Sequence, residues 1–501
     1  MRKFYDIHMH AFDLSHPNLS VFLQRSDLIL GLFKTKPKRK GKRAKKDSSY
    51  KKIIKAVLFA LIAFVLFALT VAVSPLILLV ISIILTKNIV QFFPFDGNFM
   101  DSLKNAGISL VQWFLNLSFV KKGIEKAMRT LTFFEIPMEY QFLILEYFLN
   151  PEKKEKINIG GVDYDKIVLC PLIIDFGKKG ISEGVFYNLT PKRPTVTQTG
   201  DLLYAIRTYY RFNVKVENEK MDLENIENWE SEKGKKLFEI YPFMGIDTQN
   251  YDSWEEIKKT LDRYFKNFEK NDPDRQKRIF EKLGKQDDNM YGDTDDFKNK
   301  NGYKIDYSDL FAGIKLYPQL GFDPYPKDPE ERKKVKELYR YCIEKRIPIT
   351  THCSDGGYKT GDNNILTSPS GKWKTVLEKF PELTLNFAHF GSQGNKKTKW
   401  REAIIQFINS KEKYPNVYTD ISCNDMSPEY YNELEKSLNA NPQLQEKVLF
   451  GSDFSINMLA TQTESYNQFL EPFANAKLSN QIDLCEGNPE RFLFGLEPRF
   501  S

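Results

Sequence analysis

The chain has 501 residues, 41% of them hydrophobic, and a formal net charge of +7. It can bury a sizeable core, so a disordered chain is excluded. Five scattered cysteines (Cys170, Cys342, Cys353, Cys423, Cys485) without a CxxC pair fit a reducing compartment better than a disulfide framework.

The opening residues, MRKFYDIHMH, carry no apolar run behind their charges, so no secretory leader is expected. Residues 4 to 10 alternate Phe4, Asp6, His8 and His10 against Tyr5, Ile7 and Met9, the period of a strand. An amphipathic stretch, LSVFLQRSDLILGLF, follows, and then KTKPKRKGKRAKK at 34–46, in which nine of thirteen residues are Lys or Arg. Such a run is ordinarily a solvated tether. Here it adjoins residues 53–86, an apolar stretch with one charge, Lys55. That stretch predicts membrane insertion, as a helical hairpin broken at Ser74-Pro75, with the basic run on the cytoplasmic side. The lipid bilayer is the expected partner of residues 53–93, and anionic headgroups that of residues 34–46. Nucleic acid is less favoured, because the basic run lacks interleaved aromatics. The expected localisation is the membrane, with the rest of the chain on its cytoplasmic side.

Amphipathic segments between 100 and 150, such as GISLVQWFLNLSF and EYQFLILEYFL, fit either packing on the fold or a membrane surface. Residues 213–305 are rich in Lys, Glu and Asp and read as an insertion of solvated helices and loops, apart from a buried strand, IYPFMGID, at 240–247. After 310, apolar strands recur as AGIKLYP, IPITTHC, LTLNFAHFG, NVYTDISC and KVLFGSD, with helical stretches between them. A strand and a helix repeating every ~30–35 residues is the rhythm of a parallel α/β fold. With FYDIH, KIVLCPLII and YPFMGID, eight strands are available, enough for an α/β (β/α)8 TIM barrel carrying a hydrophobic helical-hairpin insertion and a charged helical insertion. The expected organisation is 1–33 for the barrel start, 34–100 for the basic run and hairpin, 101–212 for barrel with amphipathic helices, 213–310 for a strand plus the charged insertion, and 311–501 for the C-terminal half.

Only five histidines occur, and four of them, His8, His10, His352 and His389, fall at predicted strand ends, as does Asp453. In a parallel barrel those ends share one face, and residues i and i+2 of a strand point the same way. A lone HxH is usually a surface or structural pair. Five such residues in register predict a divalent-metal site, Zn2+ first, with Mn2+ or Fe2+ as alternatives. His16 reads as a turn residue. Asp6 is placed to orient its neighbours. Ser354, Asp355 and Ser392 are candidate substrate contacts, with loop-structural roles equally open.

YDIHMH, GIKLYPQLGFDPYP, PITTHCSDGG, PELTLNFAHFG, NVYTDIS, VLFGSDF and GNPERFLFGL together resemble the amidohydrolase superfamily of metal-dependent (β/α)8 barrels, in its amidohydrolase-2, aminocarboxymuconate-semialdehyde decarboxylase-like branch. The resemblance covers residues 1–17, 240–247 and 310–497. It implies His8, His10, His352 and Asp453 as metal ligands, and His389 as a metal-adjacent histidine. It also makes Lys315 a further site candidate, because other branches carry a carboxylated, metal-bridging lysine on that strand, although a substrate-facing or structural lysine with a single metal is the favoured reading; Tyr317, near a predicted strand end, is a further candidate substrate contact.

The expected activity is membrane-attached, metal-dependent hydrolysis of a C–N or C–O bond at a carbonyl of a small, lipid-soluble molecule. Asp453 would act as proton acceptor and His389 would polarise the carbonyl. A non-oxidative decarboxylase and a non-catalytic membrane scaffold in a homo-oligomer or larger assembly are the alternatives.

Overall fold

The computed structural model describes residues 1–11, 137–176, 194–217, 220–266, 268, 311–359, 363–394, 397–456 and 466–495. These residues belong to a unit made of Met1–Leu32 and Glu125–Ser501.

Alternating or continuous apolar runs give the parallel strands. They are β1 (Lys3–Met9), β4 (Lys166–Pro171), β7 (Phe238–Ile240), β8 (Phe243–Gly245), β9 (Gly313–Leu316), β10 (Ile349–Thr351), β11 (Leu385–Phe387), β12 (Val417–Asp420) and β13 (Val448–Leu449). The short hairpins β2–β3 (Ile157–Ile159, Val162–Tyr164) and β5–β6 (Phe212–Glu217, Lys220–Asn225) are separate antiparallel pairs. β1, β4 and β7 pair in that order, and β8 to β13 pair in chain order. Hydrogen bonds join the two sets at both seams. Ile173 N–H donates to Phe243 O (3.0 Å), and Ile7 N–H donates to Phe450 O (3.2 Å). The parallel strands therefore form a closed circuit in which β7 and β8 occupy one place. Pro242 separates those two, since it has no N–H to give to a ladder.

Helices between the strands carry sequence-encoded ends. The helix Trp254–Phe265 starts at Ser253, whose hydroxyl accepts from Glu256 N–H, and it buries Ile257, Leu261, Tyr264 and Phe265 on one stripe. Asp328 caps Pro329–Lys345 with Pro329 at its first position, and Ser427 caps Pro428–Ala440 with Pro428 likewise. A continuous core of Leu, Ile, Val and aromatic side chains joins the strands to this helical layer.

Several expectations change here. No helix among the described residues is long and apolar enough to cross a membrane, so the expected membrane localisation is corrected. The stretch that prompted it, 53–93, lies outside the described residues, as do the basic run 34–46, GISLVQWFLNLSF and His16. EYQFLILEYFL falls in a helix, Met138–Leu149, that buries Met138, Gln141, Phe142, Leu143 and Leu145. The charged middle is not uniformly solvated helix and loop. Phe212–Glu217 and Lys220–Asn225 pair as a hairpin, because Phe212, Val214 and Val216 alternate with polar residues. Residues 269–310 lie outside the described residues.

Candidate metal centre

The strands deliver four of the histidines to one place. His8 lies in β1 and His10 just after it, both buried, with rings 5.4 Å apart in a T-shaped arrangement. Their ring tautomers follow from their partners. His8 Nδ1 faces Asp420 Oδ2 at 3.0 Å, and His10 Nδ1 faces the carbonyl of Leu172 at 2.8 Å. Both oxygens can only accept, so a neutral ring carries its proton on Nδ1 and leaves Nε2 bare.

Both Nε2 atoms meet a carboxylate. His10 Nε2 is 3.2 Å and His8 Nε2 3.7 Å from Asp453 Oδ1. His8 Nε2 and Asp453 Oδ1 are buried and make no hydrogen bond. With both rings neutral, His8 Nε2 and Asp453 Oδ1 bring lone pairs together without a proton to mediate between them. Buried polar atoms are rarely left so, and a cation resolves the conflict. Ligand atoms of His8, His10 and Asp453 all lie within 4.8 Å of one another, and the donor set of two imidazoles and a carboxylate fits Zn2+ or a similar divalent ion.

Beneath this centre Asp420, at the end of β12, organises the ring. Besides His8 Nδ1–H, it accepts Asn386 Nδ2–H (2.7 Å), His389 N–H (3.0 Å), Ser422 N–H (3.1 Å) and the Ser422 hydroxyl. Asn386 also reaches Thr350 Oγ1 at 3.2 Å. A polar chain thus crosses β10, β11, β12 and β1 under the site. His8, His389 and Asp420 also lie within ligand distance of one another, but a proton already sits between His8 and Asp420. That group is held by hydrogen bonds.

His389 sits in the turn after β11, with φ 62° and ψ 19°. Its Nδ1 faces Ser422 Oγ at 2.9 Å and its Nε2 faces His352 Nδ1 at 3.1 Å. His352 Nε2 is directed to Gly356 O at 3.2 Å, and its ring stacks on Tyr317 at 4.3 Å. His352 belongs to no three-ligand group among the described residues. The Tyr317 hydroxyl accepts Tyr358 N–H. Gly357, at φ +85°, packs where any Cβ would come 2.5 Å from that hydroxyl.

Asp453, with φ 55°, follows β13, and its N–H donates to His8 O. Asp6 fixes this junction. It accepts His8 N–H, Ser452 N–H, Ser452 Oγ–H and Tyr466 O–H, and so ties the HxH strand to the turn that carries Asp453.

The electrostatics follow from burial. Desolvation works against the Asp453 and Asp420 carboxylates, but the surrounding imidazoles outweigh it and hold both below the ordinary carboxylate range. Desolvation lowers His10 and His352, and pushes His389 down to about 3. It raises Asp6 to about 6 and lowers Lys315 to about 8. Lys315 points inward from β9, 1% exposed, and its amine has no hydrogen-bond partner.

Ser354, Asp355 and Ser392 hold loops together. Ser354 Oγ accepts Gly356 N–H, both Asp355 oxygens accept Gly394 N–H, and Ser392 O accepts Asp355 N–H. Sequence reasoning missed Asp420, Ser422, Asn386 and Cys423. Three of these stand in NVYTDISC, where the polar TDISC end of an otherwise apolar strand was the available signal. Cys423, also at a positive φ of 55°, brings its sulfur within 4.8 Å of ligand atoms of His389 and Asp453. A cavity of about 40 Å3 opens onto the centre, lined by His10, Tyr317, His352, His389, Cys423 and Asp453 among others.

With this geometry in place, comparison with known proteins adds the following. An amidohydrolase family model matches residues 308–495. No curated protein matches the chain. Similar solved structures include amidohydrolase 2 from Bifidobacterium longum subsp. infantis, with 17% identity over 37% of this chain and 62% of that one and a TM-score of 0.26. Another is an uncharacterised TIM-barrel protein from Bordetella bronchiseptica, with 14% identity over 76% of this chain and 93% of that one and a TM-score of 0.34. A third is an amidohydrolase from Burkholderia multivorans with bound zinc, with 13% identity over 37% of this chain and 65% of that one and a TM-score of 0.25. The match thus spans less than two thirds of the Bifidobacterium and Burkholderia proteins. The segment similar to the amidohydrolase family model, 308–495, contains His352, His389, Asp420 and Asp453, while His8 and His10 reach the same centre from outside it.

Proposed function

We propose that the chain is a metal-dependent hydrolase of the amidohydrolase type, built on a (β/α)8 barrel, that cleaves a C–N or C–O bond at the carbonyl of a small molecule. The observation that carries this reading is the meeting of His8 Nε2, His10 Nε2 and Asp453 Oδ1, of which the buried His8 Nε2 and Asp453 Oδ1 make no hydrogen bond. These three residues would hold the ion, Zn2+ before Mn2+ or Fe2+. Bound there, a divalent cation supplies Lewis acidity to a carbonyl and brings the pKa of water toward about 7.

The chain's own groups divide the remaining work. Asp453 stays ionised at neutral pH, so it can take a proton at the centre and return it to the leaving group. His389 stays a neutral imidazole whose Nδ1 is held by the Ser422 hydroxyl, so it lines the centre without adding a positive charge. Asp420 keeps the His8 proton on Nδ1 and thereby keeps Nε2 available. His352, the fourth ligand implied by the resemblance, stands one imidazole away behind His389 and is braced by Tyr317. Lys315 contributes positive potential from below.

Elemental analysis of the purified full chain beside His10→Ala, with turnover on a panel of amides and lactones, tests the reading. The ion and turnover are expected to fall together. Full metal content and turnover in His10→Ala would remove it. Release of carbon dioxide, without incorporation of oxygen from water, would move the activity to a decarboxylase using the same residues.

A further inference from the structure

A larger cavity, of about 230 Å3, opens at the other end of the strands. Lys235 and Lys236 precede β7 and form part of its wall, so it lies at the N-terminal strand ends, away from the metal centre. The helix Met138–Leu149 and the first residues of β5 supply further wall. The apolar part is Leu143, Tyr147, Val214 and Ile226. A cavity of about 150 Å3 takes a benzene ring, so this one holds a ring and a small head group.

The polar part is basic. Lys153, Lys154, Lys235 and Lys236 stand against Glu146 and Glu232. Glu146 is already engaged, because its Oε1 accepts Leu237 N–H at 2.9 Å and its Oε2 lies 3.7 Å from Lys236 Nζ. Lys236 is buried, and burial together with the like charge of Lys153 holds its ammonium below the ordinary range in spite of Glu146. Lys154 and Lys235 sit in exposed pairs with Glu152 and Glu232, each at 2.9 Å, and such pairs contribute little. With Glu152 counted, four ammonium groups face three carboxylates, and the helix end beside them adds only about half a negative charge. The turn that carries Lys153 and Lys154 is braced. Asn150 Nδ2–H donates to Lys154 O (2.9 Å), Asn150 Oδ1 accepts Lys154 N–H (2.8 Å), and Lys153 is held at φ 50°.

We propose that this cavity binds a small organic anion, an aromatic or acyl body carrying a phosphate or a carboxylate. The body packs on Leu143, Tyr147, Val214 and Ile226, and the head group takes charge-assisted hydrogen bonds from Lys153 and Lys235. The site belongs to the strand end opposite the metal centre and does not depend on the ion. A ligand held there binds the folded chain and not the unfolded one, so occupancy stabilises the fold.

The test is isothermal titration calorimetry of the full chain with phenyl phosphate, benzoate and benzyl alcohol, beside His10→Ala and the double variant Lys153→Glu/Lys235→Glu. At least one of the two anions is expected to bind, to keep its affinity in His10→Ala, and to exceed benzyl alcohol clearly. A preference for phenyl phosphate assigns a phosphate head group, and a preference for benzoate a carboxylate. Lys153 and Lys235 are exposed, so the double variant is expected to fold, as circular dichroism checks, and to weaken anion binding by about tenfold or more. Four results would overturn the site: no binding of either anion, binding unchanged in the double variant, benzyl alcohol binding as tightly as the anions, or binding lost in His10→Ala, which would move the anion to the metal centre.

Discussion

Asp420→Asn is the sharpest perturbation of the centre that leaves every proposed ligand in place. The Asp420 carboxylate accepts from five donors, His8 Nδ1–H, Asn386 Nδ2–H, His389 N–H, Ser422 N–H and Ser422 Oγ–H. An amide keeps one acceptor oxygen and turns the other position into a donor. If the NH2 replaces Oδ2, it faces Asn386 and His8. His8 must then move its proton to Nε2, the atom aimed at the ion. If the NH2 replaces Oδ1, it faces the backbone N–H groups of His389 and Ser422. Both orientations leave a donor against a donor. Losing such a support for a ligating imidazole typically costs about 10–100-fold in metal affinity, which is about 1.4–2.8 kcal/mol. A buried unsatisfied group adds about 1–3 kcal/mol of lost stability. Chelator competition for Zn2+ measures the first and urea unfolding of the metal-free protein the second. A Zn2+ affinity within twofold of wild type, whatever the stability, would refute the tautomer argument. A double variant with His8→Gln should lose little more affinity than His8→Gln alone, because both changes act on one ligand.

Gly451→Ala places a Cβ 2.7 Å from the Cβ of His8, so it should cost about 1–3 kcal/mol in stability and weaken Zn2+ binding, both read on the purified protein. Lys315→Met removes a buried amine whose folded pKa of about 8 lies below its ordinary 10.5. Wild-type stability should rise between pH 8 and 10.5 as the unfolded-state amine loses its proton. The Met variant, about 3 kcal/mol more stable at pH 7, should therefore lose its advantage above that window in metal-free urea titrations. His389, lowered from 6.5 to about 3, binds fewer protons folded than unfolded. Its contribution to metal-free stability is thus complete above pH 6.5 and shrinks as pH falls toward 3, and His389→Asn should flatten that slope.

The strands were legible because each is short, apolar and spaced by a helix of familiar length. β9 to β13 fall where AGIKLYP, IPITTHC, LTLNFAHFG, NVYTDISC and KVLFGSD placed them. The clustering of His8, His10, His389 and Asp453 followed from strand ends sharing a face. The route to it differs for the last two. His389 and Asp453 stand on left-handed turns beyond β11 and β13, a backbone choice that periodicity does not encode. The orientation of His352 was hidden for a similar reason. It depends on Gly356 and Gly357 folding over the ring, and on which nitrogen meets His389. Asp420 escaped notice because its importance lies in five donors drawn from two strands and two turns, none of them near it in sequence except those of Ser422.

The residues His389, Cys423 and Asp453 all hold positive φ angles around one cavity. Side chains other than glycine and asparagine resist that conformation, typically by about 1–3 kcal/mol each. Directed evolution toward heat tolerance would therefore find its easiest gains at these positions, by exchange for glycine. Each gain would delete a group that lines the cavity. A library screened on melting temperature alone should drift toward robust but inert proteins, whereas one screened on turnover should keep these three positions fixed and gather its improvements elsewhere.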